Sequence, residues 1–132
     1  MEMMLQENKI RQVGAEVFWG DYVPPDIRQL RELQTLIEQH FREMRGLEFY
    51  SGRLKLSVKR LNTITRAHLG LTAYELVQQR LHAEAVKLLL HTTLSVKQIA
   101  YELDMNDPAY FCRCFKRITG MSPGQFRKAK IH

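Results

Sequence analysis

Ser95–Lys128, SVKQIAYELDMNDPAYFCRCFKRITGMSPGQFRK, is the stretch that decides the fold. Ser95 and Gln98 stand in capping-box register, in which each side chain satisfies a free backbone N–H at a helix start. The helix they open carries Ile99, Ala100 and Leu103 on its apolar side and ends near Leu103. Asp107-Pro108 opens the next helix, with a capping carboxylate and a proline at the first helical position. It runs to about Ile118 and stops at Gly120, and Ser122-Pro123 repeats the same device for a last short helix. Three sharply punctuated helices in so short a span, the middle one basic, are the shape of a helix-turn-helix unit.

The same layout occurs once before. Ser57 to Gly70 has the spacing of Asp107 to Gly120, and at an offset of fifty Leu61 matches Phe111, Ile64 matches Cys114, Arg66 matches Lys116 and Thr72 matches Ser122. The preceding short helices correspond at an offset of forty-nine, Tyr50, Ser51 and Leu54 against Ile99, Ala100 and Leu103. Ser51 and Ala100 are small enough to let two helices approach. Between the units a helix from Thr72 to about His91 is expected. At 1.5 Å per residue, twenty residues span roughly 30 Å, close to the ~34 Å turn of B-DNA. One chain thus carries the pair of units that many regulators obtain by dimerising.

Upstream the patterning is simpler. Residues 1–20 have weak helical periodicity through Leu5, Ile10, Val13 and Val17, interrupted by Gly14. Gly20 to Pro25 breaks any helix. Asp26 offers a cap for a helix with an apolar face at Ile27, Leu30, Leu33, Ile37, Phe41 and Met44, which Gly46 is expected to stop. A short helix over about 47–54 follows. No alternating strand pattern occurs, so the expected fold is all-α: two homeodomain-like three-helix subdomains joined by a long linker helix. The organisation read here is an N-terminal extension or the remnant of a connecting region at 1–24 and a DNA-binding domain at 25–132, with helix-turn-helix units at about 47–70 and 95–120 and the linker helix at about 72–91.

Charge points to a polyanion. The net charge of +6 splits into −3 over residues 1–50 and +9 over residues 51–132. Cys112 and Cys114 are two apart and point away from each other on a helix, so they do not pair, which fits a reducing cytoplasm. The N-terminus lacks the basic and apolar regions of a secretory signal, and no apolar run approaches a membrane span. His40, His68, His82, His91 and His132 have no metal-ligand spacing, and Cys112-x-Cys114 alone does not make a site, so no metal and no cofactor are expected. No phosphate loop or nucleophile–base–acid set is present, and an enzyme is not expected.

On these motifs, residues from about Leu30 to Lys128 resemble the AraC/XylS-type DNA-binding domain. The resemblance rests on Ile99-Ala100, Leu103, Ala109-Tyr110-Phe111, Arg113, Phe115-Lys116, Thr119-Gly120, Ser122-Pro123 and Phe126-Arg127. Upstream it rests on Tyr50, Leu54, Ser57, Leu61, Asn62, Gly70, Arg80, Ala85, Leu88 and Leu89. The chain departs from the family where Asp104-Met105 replaces the usual Gly-Phe, where Gly52 sits inside a helix, and where Thr65-Arg66 replaces Phe-Lys.

The resemblance implies a transcription regulator, more often an activator, that binds double-stranded DNA and works with RNA polymerase. A homodimer would form through an N-terminal or missing region. By family position Lys59, Asn62 and Thr63 of the first unit, and Pro108, Ala109, Cys112 and Arg113 of the second, are expected at base edges. Arg60, Arg66, Lys116 and Arg117, with the backbone at Asn106 and Asp107, are expected at phosphates. Tyr110, Phe111 and Phe115 are expected in the core by their helical spacing, and Cys114 is expected half-buried. The competing expectation is a protein-interaction module or anti-activator with a retired helix-turn-helix. The DNA-binding half of an alkyl-repair regulator would need a cysteine-rich metal domain, and the sequence holds no such cluster.

Overall fold

Capping residues divide the chain into its helices, and the computed structural model, which describes residues 22–130, has seven of them: α1 (Pro25–His40), α2 (Leu47–Leu54), α3 (Val58–Leu69), α4 (Ala73–His91), α5 (Val96–Glu102), α6 (Pro108–Thr119) and α7 (Pro123–Lys130). Among the described residues there is no strand. The Ser57 hydroxyl accepts from the Arg60 N–H at 3.0 Å. Thr72 with Glu75, and Ser95 with Gln98, form complete capping boxes. Each such cap is worth ~1 kcal/mol. Gly70 and Gly120 end α3 and α6 in the left-handed conformation, at φ 72° and 83°, where a side chain would be strained. The helical segment read over residues 1–20 lies outside the described residues.

Helices α2 and α3 form one unit and α5 and α6 the other, with α4 packed against both. α1 covers the first unit, and α7 folds back onto the second unit and the end of α4. One hydrophobic core runs along α4 through Val77, Leu81, Ala85 and Leu89. It takes in Leu33, Ile37, Tyr50 and Leu61 on one side and Ile99, Leu103, Phe111 and Phe115 on the other. The Arg127 Nε donates to the Leu89 carbonyl at 2.9 Å, so a cation from α7 satisfies the C-terminal end of α4.

Three sequence expectations change. Asp26 does not cap α1: Pro24 is the capping residue and makes no side-chain cap bond, and Pro25 already begins the helix. Freed from that role, the Asp26 carboxylate pairs with Arg60. α1 ends at His40, and Gly46 caps the start of α2 instead of ending α1. Phe41 remains buried, whereas Met44 is exposed, because the chain turns between them. Tyr110 is half exposed, unlike Phe111 and Phe115, because it lies at a cavity between α4 and α6 that no side chain fills.

Candidate nucleic-acid interface

The turns between the paired helices are built alike. In the first, the N–H groups of Lys55 and Leu56 donate to the carbonyls of Gly52 and Ser51 at 3.3 and 3.1 Å. In the second, those of Asp104 and Met105 donate to Tyr101 and Ala100 at 2.9 and 2.8 Å. All four bonds correspond at the offset of forty-nine, and together they make two Schellman closures. Lys55 and Asp104 occupy the left-handed position of each, at φ 58° and 57°, and neither is glycine. Asn106 is the extra residue that shifts the offset to fifty before the second helix.

From there α3 and α6 correspond residue for residue at the offset of fifty. Leu61 and Thr65 are buried in α3 where Phe111 and Phe115 are buried in α6. On the opposite side, one helical stripe holds Lys59, Thr63 and Arg66, and its counterpart holds Ala109, Arg113 and Lys116, all exposed. Lys59, Arg66, Lys116 and Arg117 make no ion pair among the described residues. A face that presents cations unneutralised and outside the core suits a polyanion.

The flanking positions are engaged internally. The Asn62 Oδ1 accepts the Ala73 N–H at 2.9 Å, so this side chain fastens the start of α4 and is half-buried. Its counterpart Cys112 is also half-buried and packs on the core. Arg60 is held by Asp26, whose other oxygen lies 4.0 Å from the His68 Nε2. At the position equivalent to Arg60, Tyr110 lies beneath the Arg113 guanidinium, 5.7 Å from its ring centroid. A hydrogen bond shared with Cys114 pushes the Tyr110 phenol above its ordinary pKa. The Asp107 Oδ1 accepts from the Ala109 and Tyr110 N–H groups at 3.0 and 3.3 Å. Those two donors at the α6 N-terminus are therefore already taken. Asn106 is exposed and Pro108 half-buried.

Sequence reading missed the residues that hold the units in place. Arg45 donates to the Leu103 carbonyl in the second turn, and to that of Asp104 at 3.4 Å. Glu84, on α4, is buried between Arg42 and Arg80. Except for Arg80–Glu84, which are four apart on α4, these contacts join residues about forty to sixty apart, and no local pattern signals them. Among the described residues no group of three or more His, Cys, Asp or Glu stands ready to hold a metal ion, and no helix is long and apolar enough to cross a membrane.

The helix-turn-helix domain family matches residues 50–129. The HTH-type transcriptional activator RhaS of Enterobacter sp. (strain 638) is 30% identical over 102 residues, 77% of this chain and 37% of that protein. The chain thus spans little more than a third of the length of the curated relatives it matches. The C-terminal domain of AraT, a response regulator from Geobacillus stearothermophilus, has a TM-score of 0.72 at 26% identity, over 86% of this chain and 91% of that one. The DNA-binding domain of AdpA, solved in complex with a target DNA, shares the fold, with a TM-score of 0.69 at 23% identity over 76% and 91%.

The chain belongs to the AraC/XylS-type helix-turn-helix family, a class of DNA-binding transcription-regulator domains and not of enzymes.

Proposed function

We propose that this domain reads a specific duplex sequence by placing α3 and α6 in successive major grooves on one face of the DNA. The observation that carries the reading is the pair of matched exposed stripes, Lys59–Thr63–Arg66 on α3 and Ala109–Arg113–Lys116 on α6. At 1.5 Å per residue, α4 is roughly 28 Å long, near the ~34 Å repeat of B-DNA. Lys59, Thr63, Ala109 and Arg113 read base edges, with Asn62, Pro108 and Cys112 at the margin of that surface. Arg66, Lys116 and Arg117 hold phosphates, joined by Arg60 when it leaves Asp26 and by the backbone at Asn106 and Asp107.

In this reading the protein is a cytoplasmic transcription activator that works with RNA polymerase. Residues 25–132 form the DNA-binding domain, residues 1–24 are an N-terminal extension or the remnant of a connecting region, and a homodimer forms through an N-terminal or missing region. The similarity to RhaS supports activation.

Selection of a duplex library followed by gel-shift titration tests the proposal. Tight binding is expected on selected duplexes, with an affinity that falls steeply with salt. Arg113→Ala should cost about 1–3 kcal/mol on the selected site and relax specificity at one position. Equal binding to random and selected duplexes refutes sequence reading.

One observation favours a second reading, a protein-interaction module. Tyr74, Tyr110 and Ile118 are exposed around a cavity of about 280 Å³ between α4 and α6, floored by Leu81 and Phe115. Absence of duplex binding in the same titration would leave this as the function.

A further inference from the structure

Glu84 is 4% exposed, on the buried side of α4, in a position where every other inward residue is apolar or small. Its two oxygens accept from different arginines: Oε2 from Arg42 and Oε1 from the Arg80 Nη1 at 3.1 Å. Each arginine then reaches a second carboxylate. The Arg80 Nε and Nη2 grip both oxygens of Glu38, on α1, at 2.8 and 2.9 Å, while the guanidinium stacks 4.2 Å from the Phe41 ring centroid. Arg42 donates from Nη1 to the Glu102 Oε1, on α5, at 3.1 Å. Charges therefore alternate without a break from the helix covering the first unit, through the middle of α4, to the first helix of the second unit. Three residues beyond Arg42, Arg45 donates to the carbonyls of the second turn.

Burying a carboxylate is a poor way to gain stability, since well-packed apolar residues of similar volume do as well or better. What charge-assisted bonds add is direction. Bidentate guanidinium–carboxylate pairs accept a narrow range of geometries, whereas apolar side chains slide. α4 is shared by both units, so their mutual angle depends on what fixes α1 and α5 to its centre.

We propose that the Glu38–Arg80–Glu84–Arg42–Glu102 chain sets the second unit at one angle and distance from the first, making Glu84 the positioning residue for half-site spacing on DNA. The proposal rests on the reading of two recognition helices in successive grooves, and adds which spacing is tolerated and why. Glu84 itself touches no DNA.

The test has two arms on the full chain. In the first, spin labels are placed on the equivalent exposed positions Arg66→Cys and Lys116→Cys, in a Cys112→Ala, Cys114→Ala background, without DNA. One narrow distance population is expected, and a broad one after Glu84→Gln. In the second, unlabelled protein is titrated onto selected duplexes at native half-site spacing, with about five base pairs inserted to turn one half-site by half a turn, and onto a single half-site. Glu84→Gln should weaken discrimination between spacings about tenfold while changing single half-site affinity by less than about twofold. If Glu84→Gln does not fold, as judged by circular dichroism, Glu102→Gln carries both arms, since that carboxylate is half exposed. A narrow distance population and an unchanged spacing preference in these variants overturn the proposal. Failure of the wild type to bind any duplex defeats the DNA reading instead, and the distance arm still decides the role of Glu84.

Discussion

The two helix-turn-helix units share a backbone plan and differ in what fills it. Their turns close through the same hydrogen bonds, and their second helices end at the same left-handed glycines. At equivalent core positions, however, the second unit buries Phe111 and Phe115 where the first buries Leu61 and Thr65. The aromatic pair, extended by Phe126 of α7 at 5.3 Å and His82 of α4 at 5.1 Å from Phe115, ties the second unit to its neighbours through packed rings. The first unit is tied to its neighbours through polar bonds as well: α1 covers it, Asp26 holds Arg60, and Asn62 fastens α4. Its second helix is thus more tightly tied to the rest of the chain, while Arg113 in the second unit rests only on Tyr110. Duplicated backbone geometry does not require duplicated energetics.

The sharpest break of this comparison is a pair of equivalent truncations. Phe115→Ala should destabilise the domain by about 3–5 kcal/mol in urea unfolding, through loss of a buried ring and the cavity left behind. Thr65→Ala should cost about 1 kcal/mol, since only a methyl and a hydroxyl with one 3.3 Å bond are lost. Equal costs would mean that the aromatic cluster does not set the units apart.

A second asymmetry appears in acid. Burial against Phe115 lowers the His82 pKa below its ordinary value of 6.5. Below pH 6.5 the unfolded chain therefore binds the proton that the folded chain resists, and stability falls with pH down to the lowered folded value, then levels. Above pH 6.5 this contribution is absent. Urea titrations at pH 7.5 and 5.5 should show a smaller acid loss in His82→Gln than in the parent; an identical loss would remove His82 as the cause.

The Asp26–Arg60 pair offers a gentler probe. Asp26→Asn should free Arg60 for a phosphate and steepen the dependence of log affinity on log salt by about 0.9. An unchanged slope would mean that Arg60 either reaches DNA despite its partner or never does.

The smallest effects are expected at the turns. Lys55→Gly should stabilise by about 0.5 kcal/mol, because relief of left-handed strain exceeds the added freedom of the unfolded chain. Asp104→Gly should gain less, since Asp tolerates that conformation better than Lys. Thermal unfolding of the two variants, measured side by side, checks the order.

Local sequence specifies the described helices, the caps at Ser57, Thr72, Ser95 and Asp107, the repeat and the family. Each rests on neighbours within a few residues, as with Ser95 and Gln98 or Asp107 and Pro108, or on a motif long enough to align. The buried aromatics Phe111 and Phe115 were legible from helical spacing, and the same spacing misplaced Tyr110, because it does not tell which flank of α6 a neighbour covers. The tertiary structure alone decided that Asp26 serves Arg60 instead of capping α1, that Asn62 is spent on α4, and that Glu84 and Arg45 tie the two units together. Apart from Arg80–Glu84 on one helix, these bonds join groups 11 to 59 residues apart, whose partners are chosen by how helices pack and not by any local pattern. So the two helix-turn-helix units could be counted from the sequence, but the chain of charges linking α1, α4 and α5 became visible only when those helices were brought together.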